Sequence, residues 1–532
     1  MEKESFDRSH TQFWIPFVIA LAMAVGMFIG KKLEPVGSDN VVAASNIPNR
    51  QPGKVEEILR YINARYVDDV DDNELSEEAI KAIMDDLDPH SSYHSAEELR
   101  RMSENLRGNF EGIGVEFMII EDTVFVVRVM EEGPSEALGV QVLDRIVAVN
   151  DNTIAGMGID SDSVIALLKG PQGTNVDVTI LREGETLELT INRGKIPTTS
   201  VDASIMIDDQ VGYIKLDGFS ATTYTDFMKR MEVLIEDNGM KDLVIDLRSN
   251  PGGYLNQAIK ILDQFFTEKD KVLVYTQGDK SKKFEYKTTG RNFFDVGDIV
   301  VLIDENSASA SEIIAGALQD WDRGKIIGRR SYGKGLVQER YPLKDGSAIS
   351  LTISRYFTPS GRCIQKDYDN PIDYSKELYD RFHNGEYYTR DSIYMADTTK
   401  YFTSQGRVVY AGGGISPDIF VPLDTAQFTD VFYAMRGAIN TDVIRYFEEH
   451  PELGKLTLEQ FIKQVNIDDQ RLKSLYEELP RNGLTSTFSE SRDAIEYYYQ
   501  ARLARQLFGD NGFYTIWITK DDALKVALEA LN

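Results

Sequence analysis

The segment DIVVLID (residues 298–304) is apolar at five consecutive central positions, and DLVIDLR (242–248) carries Leu243, Val244 and Ile245 in one run. A half-wet strand alternates apolar and polar residues. A short run apolar on both parities needs cover on both faces. Helical patterns flank these strands: TYTDFMKRMEVLIED before the first, GYLNQAIKILDQFF after it, and ASEIIAGALQDW after the second. QVGYIKL, upstream, reads as a further strand. Strands alternating with helices in this way specify an α/β core with crossover connections.

The chain has 532 residues, room for roughly three or four domains. A hydrophobic content of 42% supports real cores, and 58 basic against 86 acidic residues gives a net charge of −28. That charge repels nucleic acid phosphates, so nucleic acid is excluded as the expected partner. The single cysteine, Cys363, forms no intramolecular disulfide and fits a reducing compartment or an exported protein without staples. Phe13 to Gly30 is an uncharged apolar run of 18 residues, long enough for a membrane span. It predicts a signal anchor with the bulk of the chain exported; anchorage by 13–30 and release after cleavage are both consistent with it. An assembly of identical chains is compatible with the sequence and not specified by it.

The remaining organisation follows from pattern changes. Residues 1–30 form the tail and anchor, and 31–53 a linker rich in Pro, Gly, Ser and Asn. Residues 54–107 show helical periodicity through Val55, Ile58, Leu59 and Ile62, then Ile80, Ile83, Met84 and Leu87. Ser95 to Glu98 has the spacing of a capping box and starts a third helix. Residues 108–195 turn to short β-branched strands interrupted by one helix at SDSVIALLKG. This order resembles a PDZ domain, with GIGV (Gly112, Ile113, Gly114, Val115) where the carboxylate-binding loop lies and VLDRIVAVND similar to the stretch GDxIxxVNG. Val142-Leu143 and Asp151 depart from that pattern. The resemblance implies a peptide groove, in which glycine-rich backbone N–H groups meet a terminal carboxylate and a strand edge accepts the peptide. The α/β core occupies 196–425, with a tyrosine-rich, irregular insertion at about 366–404, and 426–532 reads as amphipathic helices.

GRRSYGKG (328–335) comes close to a phosphate-binding loop, but Gly335 stands where a Mg²⁺-binding hydroxyl is required and a strand follows instead of a helix. Lys334 therefore needs another task. DENSASASEIIAGALQD leads from a buried strand into a helix, where open α/β sheets place their sites, and it carries Ser307, Ser309 and Ser311. One serine suffices as a cap, which leaves others free. None of the five histidines (10, 90, 94, 383 and 450) falls in the core, so a serine–histidine pair has no support. His90 and His94 sit in the turn-like DPHSSYH without the glutamate of a metalloprotease helix, which reads as a surface loop with no metal site. A lysine whose pKa is lowered by a dry setting can act as the base instead. Gln338 could orient it, and backbone N–H groups at the DLRSNPGG turn, paired with the amide after the serine, would make an oxyanion hole.

SASASEI, GKGLVQ, DLRSNPGG, GGGISPDI and the upstream PDZ-like region together resemble the carboxyl-terminal processing peptidases, the tail-specific serine proteases, over roughly residues 54–425. The resemblance implies Ser309 as nucleophile, Lys334 as general base, Gln338 as its orienting partner, and Gly253 with Ala310 as oxyanion donors. It implies no cofactor and no metal. Its substrates would be exported proteins or peptides with free C-termini, on the periplasmic side of the inner membrane. The competing expectation is an inert PDZ-bearing scaffold.

Overall fold

A computed structural model describes residues 53–369, 371–393, 397–480 and 482–531. The anticipated span 13–30 lies outside them, and among the described residues no helix is long and apolar enough to cross a membrane. The chain divides into two compact units, one ending at Glu77 and the other beginning at Glu78. In the first, α1 (Lys54–Arg65) is amphipathic and buries none of its residues.

The second unit contains the core that the apolar strands demand. Its six-stranded sheet runs β9 (Val201–Met206), β10 (Val211–Leu216), β11 (Asp242–Asp246), β14 (Ile299–Ile303), β15 (Gly324–Gly328) and β18 (Ile419–Phe420). All neighbours are parallel except β9, which is antiparallel to β10. Every residue of β14 is buried, and the reason is visible in the layers. Ile299, Val301 and Ile303 join the core under α5 (Thr223–Glu232), α6 (Leu255–Asp263) and α7 (Ala310–Asp320). Val300 and Leu302 face the other way, toward Leu524 and Ala527 of α13 (Asp522–Leu531). The C-terminal helical region thus supplies the second helical layer of this sheet, a role its own sequence does not reveal. Burying Val244, Val300, Leu302 and Ile327 beneath it is worth at most about 6–12 kcal/mol.

The segment expected to hold a peptide folds as a sheet in the order β3 (Val115–Ile120), β4 (Thr123–Val129), β5 (Arg145–Val149), β6 (Asn175–Arg182), β7 (Glu185–Asn192), with β3 at the edge. Its helix α4 (Ser161–Leu168) starts at Asp160, whose carboxylate accepts from the Ser163 N–H at 2.8 Å. The two departures from the glycine pattern fall where the backbone is left-handed, Leu143 at φ 74° and Asp151 at φ 62°. Each carries a strain of about 1–2 kcal/mol that glycine would not. The domain is tied to the remainder by the two-stranded ribbon of β2 (Asn109–Gly112) and β8 (Gly194–Pro197). A second tie comes from the C-terminal helices. Ile444 of α9 (Asp430–Glu449) packs with Ile120 and Phe125, while Arg128 pairs with Asp510 at 2.9 Å and Arg145 with Glu448 at 2.7 Å.

A second sheet stands beside the core. It runs β1 (Ser92–His94), β17 (Ala348–Phe357), β12 (Val272–Gln277), β13 (Phe284–Lys287), with β16 (Leu336–Pro342) also paired to β17. The capping box forms as expected, Glu98 Oε2 accepting from the Ser95 N–H at 2.8 Å, and α3 begins at the next residue (Ala96–Arg107). The insertion is not irregular throughout: it contains helix α8 (Pro371–His383). That helix is held by a buried ion-pair cluster, in which Glu386 pairs with Arg330 at 2.7 Å and Arg381 at 3.0 Å. Aromatic and charged residues hid it, because its packing partners are polar.

Candidate active site

β14 ends at Ile303, and the chain turns through 304–309 into α7. Two of the three serines are committed to that turn. The Ser307 hydroxyl donates to Leu247 O at 2.8 Å and accepts from the Asp304 N–H at 2.9 Å. Ser311 donates to Asn250 O at 3.0 Å. Ser309 is the one that lines a cavity, and its backbone sits at φ 54° and ψ −112°. A left-handed serine is strained by about 1–3 kcal/mol, so the surroundings must hold it there.

The main holder is Glu312, one helical turn later and fully buried. Its Oε2 accepts from the Ser309 N–H at 2.9 Å and the Lys334 N–H at 2.8 Å. Its Oε1 accepts from the Gly333 N–H at 2.7 Å and the Ser331 hydroxyl at 2.6 Å. Burial pushes this carboxyl above its ordinary value, against the pull of those four donors. Tyr356 of β17 joins the same two segments from the other side, donating to Lys334 O at 2.6 Å and Ser309 O at 3.2 Å. One carboxylate and one phenol therefore fix the serine loop to the lysine loop. Both residues escape sequence reading, since all of their partners except the Ser309 N–H on Glu312 lie 19 to 47 positions away.

Lys334 projects into the same cavity of about 630 Å³, which Ser309, Gly253, Gln338 and Tyr356 also line. Burial lowers the amine's pKa, opposed by the charges of Glu312 and Asp88. Its Nζ donates to Gln338 Oε1 at 3.2 Å. The other end of that amide donates to His90 O, which fixes which way the amide points. This corrects the surface-loop reading of His90 and His94. Asp88 caps the turn through Ser91, His94 continues as part of β1, and His90 lines the cavity itself. The His90 ring meets the Tyr374 hydroxyl at 2.5 Å, and burial first, then the Lys334 charge, pushes its pKa down to about 4.

The turn after β11 completes the site. Asn250 accepts from the Gly252 N–H at 2.9 Å and donates to Leu216 O at 3.0 Å, and its own carbonyl accepts from the Ala308 N–H at 3.0 Å. A side chain on Gly252 would place Cβ 2.7 Å from Ser309 Cβ and 2.9 Å from the Ala310 N. A side chain on Gly253 would lie 2.3 Å from Phe219 O. The two glycines let the turn abut the N-terminus of α7, whose first residue is Ala310. Behind it, Arg248 pairs at 2.6 Å with both Asp246 and Asp521, which links the turn to the C-terminal region. Among the described residues no group of His, Cys, Asp or Glu side chains is arranged to hold a metal ion.

The GIGV loop lies on the separate PDZ-like sheet. The Ile113 carbonyl accepts from the Ser135 N–H and hydroxyl, and the Gly114 carbonyl from the Met130 N–H. Val115 and Phe117 of the edge strand pack on the core that contains Val164 and Leu168 of α4. Gly114 has φ 80°, and a Cβ there would sit 3.0 Å from Ile196. The four loop residues are thus brought together with the helix but not with the Ser309 cavity.

A strained serine and a partly buried lysine in an α/β core, with a PDZ-like sheet upstream, define a serine peptidase. Family models agree: peptidase family S41 matches residues 210–372, the PDZ domain matches 112–192, and a family of unknown function (DUF8443) matches 432–509. A carboxy-terminal-processing protease of Bartonella bacilliformis is 34% identical over 348 residues, covering 64% of this chain and 78% of that protein. The carboxy-terminal processing protease CtpB of Bacillus subtilis is 35% identical over 320 residues, covering 59% and 65%. A solved PDZ domain of a carboxy-terminal protease from Vibrio cholerae, in complex with peptide, is 29% identical, covers 16% of this chain and 97% of that one, and has a TM-score of 0.16. The chain belongs to the carboxy-terminal processing protease family, and its C-terminal helices lie outside the two matched domains that define it.

Proposed function

We propose that Ser309 and Lys334 form a catalytic dyad that cleaves exported proteins near their C-termini. The observation that carries this is the shared cavity of Ser309, Lys334, Gln338 and Gly253, with the lysine amine partly buried and aimed by Gln338. Neutral Lys334 takes the Ser309 proton as the oxygen attacks a peptide carbonyl. The N–H groups of Gly253 and Ala310 receive the oxyanion at the helix N-terminus. Protonated Lys334 then donates to the leaving amine, and water repeats the cycle on the acyl-enzyme. The PDZ domain reads the substrate tail, its terminal carboxylate against Gly112, Ile113, Gly114 and Val115. Residues 13–30 hold the peptidase at the periplasmic face of the inner membrane.

The test is cleavage of an unstructured peptide with a free or amidated C-terminus by native and Ser309→Ala proteins. The free peptide should be cut faster by the native protein, and the variant should cut neither. Cleavage by Ser309→Ala would remove the nucleophile assignment, and equal rates for the two peptides would remove the tail reading.

A further inference from the structure

The active-site cavity has a second polar end, away from Ser309. Arg340 of β16, His94 and Ser92 of β1 and Ser350 of β17 all line it. The register brings them together, because Ser350 lies opposite Ser92 on one side and opposite Arg340 on the other. Arg340 follows Gln338 by two residues, so it projects from the same face of the strand about 7 Å farther along.

The guanidinium there has an unfilled donor. Its Nε is buried and has no hydrogen-bond partner among the described residues. Arg329 pairs with Glu305 at 2.7 Å and Arg330 with Glu386 at 2.7 Å, and Arg362, whose Nε is likewise unpartnered, still pairs through its Nη2 with Asp320 at 2.8 Å. The nearby carboxylates are engaged elsewhere, Glu98 with the Ser95 N–H and hydroxyl, and Glu339 with the Tyr341 hydroxyl at 2.8 Å. His94 is bonded to the hydroxyls of Ser92 and Ser350 at 3.0 Å, and burial and the Arg340 charge hold its pKa below the ordinary value. A cation with an unfilled donor, in a cavity that must admit a peptide, suits an anion.

We propose that Arg340 is a specificity residue that binds a substrate carboxylate within a few residues of the scissile bond. The proposal rests on the Ser309–Lys334 reading of the cavity. The strand step of about 7 Å from Gln338 to Arg340 matches two residues of an extended peptide lying along the same cavity. The carboxylate comes from an Asp or Glu side chain, or from the terminus of a short leaving segment. A planar guanidinium takes either in a bidentate pair, which discriminates against the uncharged isostere by roughly 10- to 100-fold.

The experiment measures kcat/KM for peptides carrying Glu, Gln or Lys at each of three positions on either side of the cleaved bond. A second set places that bond two, three or ten residues from a free or amidated C-terminus. Native protein should favour one carboxylate position by roughly 10- to 100-fold. Arg340→Gln should bring the Glu-to-Gln ratio close to one, and Arg340→Glu should invert it in favour of Lys at that position. Arg340→Lys should restore part of the preference. A preference confined to Glu identifies the side chain as the source; one confined to free ends two or three residues away identifies the terminus. Absence of any carboxylate preference in native protein, or its survival in Arg340→Gln, overturns the proposal. If the variants do not fold, the native Glu-to-Gln ratios still decide it. Cleavage of the Gln peptides that survives Ser309→Ala would instead remove the underlying dyad, which keeps the two failures apart.

Discussion

Replacing Glu312 with Gln changes one atom and removes a charge from the residue that joins the two catalytic segments. The best fit of the amide turns its oxygen toward the Ser309 and Lys334 N–H groups, now at 2.9 and 2.8 Å. Its NH₂ then faces the Gly333 N–H and the Ser331 hydroxyl. Ser331 can rotate to accept, but the Gly333 N–H is left buried against another donor, a loss of about 1–3 kcal/mol. The two retained bonds lose charge assistance worth about 1 kcal/mol each. Relief of the buried charge, which already holds this carboxyl above its ordinary value, offsets part of this. The net loss is about 2–4 kcal/mol. Because Ser309 is held at a strained φ, the loops should also relax, and a displacement near 1 Å lowers the rate by roughly 100-fold. Urea unfolding followed by tryptophan fluorescence, with kcat/KM on a fluorogenic peptide, measures both effects. A Glu312→Gln protein with native stability and native kcat/KM would refute the claim that this carboxylate holds the site.

Gly252→Ala should fold poorly or lose at least roughly 100-fold in kcat/KM, since its Cβ would lie 2.7 Å from both Ser309 Cβ and Ala308 O at φ 99°. Gly139→Ala is the matched control: φ is 76° but nothing lies within 4 Å, so stability should fall by about 1 kcal/mol and the rate should hold. Leu524→Ala should destabilise by about 2–4 kcal/mol, read as a lower urea midpoint, because Leu524 covers the far face of the six-stranded sheet.

The α/β core was legible because β14 is apolar at every position, which left only a strand covered on both faces. What covers it was not legible, because α13 is separated from β14 by more than 200 residues and an amphipathic helix does not name its partner. The site divides in the same way. Ser309, Lys334, Gln338, Gly253 and Ala310 stand in short motifs whose spacing carries chemistry. Glu312 stands inside one such motif, yet its role depends on Ser331, Gly333 and Lys334 folding over it. His90 was misread because a Pro- and Ser-rich turn resembles a surface loop. Only the pairing of Ser92 with Ser350 brings that turn under Gln338.

The most direct measurement for the dyad is the pH dependence of Ser309 acylation by an activated peptide ester, with the adduct located by mass spectrometry. Burial lowers the Lys334 pKa, so the neutral base is present at lower pH than for an ordinary lysine. The acylation rate of native protein should rise with pH and level off below the ordinary lysine value of about 10.4, with the adduct on Ser309. Lys334→Arg, which stays protonated at any working pH, should show no such rise. An adduct on another residue, or equal acylation of the Arg variant, would contradict the Ser309–Lys334 assignment.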